Sequence, residues 1–299
     1  MRRHWMGEAW HWWKTFLFCL PALAVFAVFF LLPAAFSLYY GFFQWNGLDP
    51  EMTYVGFRNF LELFTDAGFW SSLLITIKVV VASIFLQSGL ALLLATICVG
   101  ARKGMKFFRS ALFVPQVLSL AAVGAAWVLI YDPYYGVLNR LIESLGFERV
   151  HISWLGTPQL ALPSMIATTT WAYFGFHMVL YLAAIAAIPA EIYDAVKFET
   201  TSRLKVFFWV TLPLLRETLL VSWVFIFTGT FGFLVGLFWM MTRGGPSRST
   251  ELLGLYMYRQ TFVGDRFGYA SAVALVIILI LVGVVWVPIR RMARQRIVY

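Results

Sequence analysis

The sequence predicts an all-α integral membrane protein built on six transmembrane helices. Three observations carry that prediction. The 299 residues are 61% hydrophobic and only 12% charged, about half the charged share that solvates an ordinary soluble domain. Six apolar runs reach the roughly 20 residues that cross a bilayer as a helix: 15–39, 70–99, 110–131, 160–188, 218–241 and 267–289. The lysines and arginines fall at the edges of those runs, so the net charge of +9 reads as membrane-flanking charge. No basic patch is interleaved with base-reading residues, which excludes a nucleic-acid partner.

The first run is too long for a signal h-region, and no small-x-small cleavage site follows it closely, so it reads as a retained helix. The fourth begins within a few residues of Pro163, because proline is tolerated in a first turn. Cys19 and Cys98 lie inside apolar runs and read as small buried hydrophobes, not as a disulfide or metal pair. The 4 histidines lack metal-binding spacing, so no metal site is expected.

Basic residues cluster in the N-terminal tail (Arg2, Arg3, Lys14), after the second run (Arg102, Lys103, Lys106, Arg109), after the fourth (Lys197, Arg203, Lys205, Arg216) and in the C-terminal tail (Arg290, Arg291, Arg294, Arg296). The opposite connections hold fewer: Arg58, Arg140, Arg149, Arg243, Arg248, Arg259 and Arg266. Both termini and the loop after the fourth run are therefore expected in the cytoplasm. The chain divides into a tail (1–14), a transmembrane domain (15–290) and a second tail (291–299).

Residues 188–213 read "IPAEIYDAVKFETTSRLKVFFWVTLP". This charged island sits between two of the most apolar runs. Pro189 suits a first helical turn, and Glu191 and Asp194 follow where the helix dipole favours acids. Ile192, Ala195, Val196 and Glu199 keep helical spacing. Thr201-Ser202 interrupts, and a second short helix over 204–210 is expected to end before Pro213. Anionic headgroups would attract the basic residues but repel Asp194 and Glu199. A protein surface carrying basic residues is the better partner.

The island resembles the EAA motif of the membrane subunits of ATP-binding-cassette importers: E-A-A, three residues, G, nine residues, I-x-L-P. Asp194-Ala195-Val196 stands at E-A-A, Thr200 at the glycine and Val210-Thr211-Leu212-Pro213 at the end. "YVGFRNF" at 54–60, "YDPYYG" at 131–136, "TRGGPSRSTELLGLYMYRQTF" at 242–262 and "FGYASA" at 267–272 resemble further segments of the maltose and glycerol-phosphate class of carbohydrate permeases. The resemblance implies the type I importer permease fold, with six transmembrane helices and a cytoplasmic coupling-helix loop over 189–216. It implies a bacterial or archaeal cytoplasmic (inner) membrane, a second homologous permease subunit, an ATPase dimer and an extracytoplasmic substrate-binding protein. Glu191, Asp194, Ala195, Glu199, Thr200, Arg203 and Pro213 would then contact the ATPase. Two positions depart from the motif: Asp194 replaces Glu and Thr200 replaces Gly. A β-branched residue resists positive φ, so the turn is either strained or the first helix runs on further.

The chain has no G-x-x-x-x-G-K-[ST] to cradle phosphates. The nearest text is "GARKGMKF" at 100–107, whose glycine spacing is one residue short. No ATPase activity and no bound cofactor are expected of this chain, so ATP and Mg belong to the partner ATPase.

Sugars are held by aromatic faces and hydrogen-bonding groups. Thr170, Tyr173, His177 and Tyr181 share one face of the fourth run, with Trp171, Met178 and Leu182 elsewhere on it. The fifth run adds Ser222, Thr228 and Thr230, while Gly236 stands where many relatives place a polar residue. Helix packing, and back-bonding of Thr228 and Thr230 to the helix backbone, is the other reading of these side chains. Carbohydrate is the expected cargo. A phosphorylated polyol or acidic saccharide would want fixed positive charge, for which Lys78 and His177 are the candidates. A secondary transporter is the rival class. Such proteins place charged groups near midplane in broken helices, and the island would have no role in one.

Overall fold

The computed structural model describes residues 16–99, 104–147 and 151–294. Arg2, Arg3, Lys14, Arg102, Lys103, Arg149 and Arg296 lie outside the described residues, as does the tail 1–14.

Helix α1 spans Phe16–Tyr40. Strands β1 (Phe43–Gln44) and β2 (Thr53–Tyr54) pair antiparallel, with Phe43 opposite Tyr54. Then come α2 (Arg58–Thr65), α3 (Ala67–Cys98), α4 (Met105–Val117), α5 (Leu120–Ile130), α6 (Val137–Ser144) and α7 (Pro158–Ala186). The chain continues through α8 (Ala190–Lys197), α9 (Arg203–Leu214), α10 (Arg216–Phe231), α11 (Leu234–Thr242), α12 (Leu253–Phe262) and α13 (Phe267–Arg294).

Among the described residues, 4 helices are long and apolar enough to span a bilayer: α1, α3, α7 and the stretch Phe267–Trp286 of α13. The count reaches 6 only if the bent pairs α4–α5 and α9–α10 each serve as one span. The expected third run is not one straight helix. Pro115 lies in the last turn of α4, Leu118 and Ser119 turn extended, and α5 leaves at 97°. The fifth run breaks at Gly232, whose φ of −114° and ψ of −80° leave the helical region. Helix α7 starts at Pro158, within a few residues of Pro163 as expected. One further boundary differs from expectation. Helix α9 runs through Pro213 instead of stopping before it. A wide π-turn over Phe207–Thr211, with Leu212 N–H donating to the Phe207 carbonyl, precedes that proline. It shifts the hydrogen-bond ladder just ahead of a residue that has no N–H. Ala27–Leu31 forms the same kind of turn before Pro33 in α1.

Contacts divide the chain into two units, Met1–Asp66 with Met257–Ile278, and Ala67–Tyr256 with Leu279–Tyr299. In the first, the Asn59 amide donates to the carbonyls of Gly41 and Phe43, both at 2.9 Å, and so pins the hairpin. Gly268 N–H donates to the Trp45 carbonyl at 3.1 Å. Rings of Tyr40, Trp45 and Phe267 pack edge-on and tilted around that point. These contacts give "YVGFRNF" and "FGYASA" their physical meaning. The apolar heart of α1 (mean hydropathy 2.6) buries none of its most hydrophobic stretch within the chain. Cys19, on that helix, is therefore exposed and not buried as expected, while Cys98 is buried.

The second unit is cored twice. One cluster joins Ile75 and Val79 of α3, Val123 of α5, Met165 and Ala172 of α7, and Leu237, Phe238 and Met241 of α11. The other joins Ala91, Ala95 and Cys98 of α3 to Met178, Tyr181 and Ile185 of α7. Small residues let these backbones approach, which matters where lipid removes any hydrophobic drive between helices. Gly175 is the tightest case here: a Cβ there would lie 2.3 Å from the Leu112 carbonyl of α4.

A Cβ on Gly268 would fall 1.9 Å from the Phe43 carbonyl oxygen, which is backbone and cannot step aside alone. Gly268→Ala is therefore expected to destabilise the protein by about 1–3 kcal/mol, read as a lowered thermal midpoint in detergent. An unchanged midpoint would refute this account of the glycine.

Candidate functional site

A cavity of about 170 Å³ lies in the second unit. Helix α3 contributes Ser83 and Gln87, α4 contributes Gln116, α7 contributes Tyr173, Phe176 and His177, and α10 contributes Phe225, Thr228 and Thr230. None of the residues lining it is charged. Two lining atoms, Ser83 Oγ and Gln116 Oε1, are buried and have no hydrogen-bond partner among the described residues. A buried polar atom without a partner costs free energy, so a polar group entering the cavity could bond to either atom.

The aromatic stripe on α7 is divided. Tyr173 and His177 line the cavity, whereas Thr170 and Tyr181 do not. Tyr181 is 0% exposed and sits in the core. Its hydroxyl donates to Ser222 Oγ of α10 at 2.5 Å and meets Ser88 Oγ of α3 at 2.6 Å. His177 Nδ1 lies 2.7 Å from Ser222 Oγ. The Trp223 indole N–H donates to Ser88 Oγ at 3.3 Å. Thr228 and Thr230 border the cavity but give their protons to the backbone, to Val224 O at 2.9 Å and Ile226 O at 2.8 Å. Lys78 is exposed on α3 and is absent from the cavity wall.

Ser83, Gln87, Ser88, Gln116 and Trp223 were not singled out in the sequence. A signal existed: two glutamines stand inside apolar runs, where a polar residue needs a reason.

The charged island forms α8 and α9, tied by a hydroxyl contact of 3.3 Å between Tyr193 and Thr211. Asp194 pairs with Lys197 at 2.7 Å, and both side chains are well exposed, so the pair adds little stability. Glu191, Ala195, Glu199, Arg203 and Pro213 are exposed too. At the tip, Phe198 is 93% exposed. Thr200 escapes the strain expected of it. Among the described residues, positive φ outside glycine occurs at Arg243, Ser247, Arg248 and Asp265. The N–H groups of Glu199 and Thr200 both reach the Val196 carbonyl at 3.0 Å. Thr200 Oγ1 then accepts Ser202 N–H at 3.2 Å. The hydroxyl closes the turn that glycine would have closed by φ.

Two other motifs are loops held by their own side chains. In "YDPYYG", Asp132 Oδ1 accepts the N–H groups of Tyr134 at 2.8 Å and Tyr135 at 2.7 Å. Those two bonds, Tyr135 first, hold the Asp132 carboxyl below its usual range. In "TRGGPSRSTE", Thr250 Oγ1 bridges Thr242 Oγ1 at 2.7 Å and Gly245 O at 2.9 Å. Buried Glu251 pairs with Arg248 at 2.5 Å and accepts from Ser72 Oγ at 3.3 Å. A wider polar groove of about 370 Å³ lies in the first unit, where Arg266 and Glu62 are already paired.

No protein-family model matches the chain. The "Probable ABC transporter permease protein YurN" of Bacillus subtilis is 34% identical over 267 residues, 89% of this chain and 91% of that one. The "Multiple sugar-binding transport system permease protein MsmF" of Streptococcus mutans is 32% identical over 94% of this chain and 93% of its own. In fold, the chain is similar (TM-score 0.79, 22% identity, 94% of each chain) to one in a bacterial alginate ABC transporter crystallised with an alginate pentasaccharide-bound periplasmic protein.

Proposed function

Since the chain belongs to the permease proteins of ABC sugar transporters, we propose that it lines the import route for a sugar or oligosaccharide across a bacterial or archaeal cytoplasmic membrane. The multi-pass apolar helices supply the membrane domain. The cavity carries aromatic rings beside hydrogen-bonding groups, the pairing that holds a sugar. Tyr173, His177, Thr228 and Thr230 border it, and Tyr181 supports it from behind. The alternative cargo, an acidic saccharide or phosphorylated polyol, would want a cation in the wall, and the wall holds no lysine or arginine; of the two candidates, Lys78 lies outside it and His177 is a ring bonded through Nδ1 to Ser222.

In this reading a second homologous permease subunit completes the route, against the apolar faces the chain leaves exposed. An extracytoplasmic binding protein delivers the solute, as the periplasmic protein in the alginate complex suggests. A separate ATPase dimer holds ATP and Mg, since the sequence has no phosphate-cradling loop. The observation that carries the docking role is Phe198. A ring 93% exposed beside Asp194, Lys197 and Glu199 is an anchor without a socket. Both termini then lie in the cytoplasm with the island.

Mechanically, α8 starts only a short turn after α7, and α10 follows α9 at a 69° bend. Closing of the ATPase dimer would move the island and, through rigid helices, the two walls that carry His177 and Ser222.

Uptake into proteoliposomes holding the complex and its binding protein, tested against a panel of neutral and acidic oligosaccharides, should show transport of a neutral member. Uptake of acidic members alone would reverse the cargo assignment. Asp194→Lys should reduce coupled uptake at least about tenfold, because reversing one partner of a desolvated ionic contact costs roughly 2–5 kcal/mol. Normal uptake in that variant would remove Asp194 from the docking contact. Cysteines at Thr201 and Ser247, both exposed, should react with an impermeant reagent from the cytoplasmic and external sides respectively. The opposite pattern would invert the topology.

A further inference from the structure

We propose that His177 is a specificity-determining donor: the chain Trp223–Ser88–Tyr181–Ser222 holds its ring as the Nε2–H tautomer, so that it offers a proton to an uncharged, hydroxyl-rich solute. The inference rests on the import reading above and adds which atom of the wall selects the solute.

The direction of the chain follows from donor arithmetic. An indole N–H can only donate, and each hydroxyl owns one proton. Trp223 donates to Ser88 Oγ. Tyr181 spends its proton on Ser222 Oγ. Ser88, at 2.6 Å from the Tyr181 hydroxyl, must then be the donor in that contact. Ser222 has received a proton from Tyr181, and the acceptor available for its own is His177 Nδ1 at 2.7 Å. Reversing that last bond would leave the Ser222 proton buried without a partner, since Ser222 is fully buried. One arrangement satisfies every group, and in it Nδ1 is bare and Nε2 carries the hydrogen.

The Nε2 edge makes no hydrogen bond among the described residues, and His177 lines the cavity. It faces a wall whose other unused groups are complementary. Gln116 Oε1 accepts only, and Ser83 Oγ, on a residue 1% exposed, can do either. A guest must therefore bring an acceptor for Nε2–H and a donor for Gln116. Sugar hydroxyls do both with one group. A carboxylate or phosphate meets the first demand, fails the second and finds no cation in the wall. The three helices that meet in the chain, α3, α7 and α10, are among those that build the cavity, so their packing and the choice of tautomer are one event.

The test uses the whole transporter in nanodiscs with 15N-labelled histidine, and His177→Gln to identify the His177 signals. Wild type should show one-bond N–H coupling at Nε2 and an unprotonated Nδ1. Ser222→Ala should give a mixture of tautomers. For the panel sugar that supports wild-type uptake, His177→Leu should raise the half-saturation about tenfold, the worth of one such hydrogen bond. His177→Gln, whose amide N–H reaches the Nε2 position, should recover most of that loss. Ser222→Ala should raise half-saturation in the same direction. A wild-type Nδ1–H tautomer, an unmixed tautomer in Ser222→Ala, or an unmoved half-saturation in His177→Leu would each overturn the proposal. The tautomer is read without transport. Failure of the import reading would instead show as no sugar uptake by the wild type.

Discussion

In hydrocarbon every backbone N–H and C=O must find a partner within the protein, and the rest of this structure depends on that constraint. It explains why the long spans are helices, and it governs how they are allowed to break. Where α4 gives way to α5, Ser119 Oγ receives the Ala122 N–H at 3.2 Å. Where α12 begins, Thr76 Oγ1 of α3 receives the Leu253 N–H at 2.8 Å. The Arg109 guanidinium donates to the Cys98 carbonyl at the end of α3, where a cation also suits the helix dipole. Pro33 and Pro213 are each preceded by a π-turn that re-routes the ladder. Several irregularities are thus patched by side chains, short polar ones at Ser119 and Thr76 and a guanidinium at Arg109.

The same scarcity of water changes what holds helices together. Burial of apolar surface gives no advantage over lipid, so close packing and interhelical hydrogen bonds decide the assembly. Gly175 brings α7 onto the backbone of α4. Ala91 and Ala95 bring α3 onto α7. Between them runs the polar chain from Trp223 to His177, crossing α3, α7 and α10. A group that packs helices thus also holds the ring at the cavity wall.

The charged island works by contrast. Its ion pair is exposed and cheap, its helices are short, and its most conspicuous apolar ring is exposed. Nothing in the chain itself gains much from this arrangement. On the proposed docking role it is one face of a contact, joined at both ends to helices that form the cavity. The departures from the family pattern are absorbed locally: Thr200 replaces the freedom of glycine with a hydroxyl bond to Ser202.

Much was legible in the sequence because lipid simplifies the code. A stretch of apolar residues has to be a helix, and basic residues have to flank it, so four of the six runs emerge as unbroken helices at nearly the expected bounds. The island, its two helices and its interruption at Thr201-Ser202 also followed, since charge between apolar runs is visible in one dimension. The angles at Leu118, Leu215 and Gly232 did not. They depend on which neighbouring side chain can take up a freed backbone group, and that neighbour is often remote, as Thr76 is to Leu253. Helical periodicity alone placed Thr170, Tyr173, His177 and Tyr181 on one face. Only the tertiary structure separated Tyr181, which turns to Ser88 and Ser222, from Tyr173 and His177, which border the cavity. A helix face is some 100° wide, and neighbours on two other helices divide it. Composition and pattern determined the solvent, the element type and the charged island by themselves, because each is local. The cavity and the direction of its hydrogen bonds were decided by tertiary contact, because they join residues as far apart in sequence as Ser88 and Trp223.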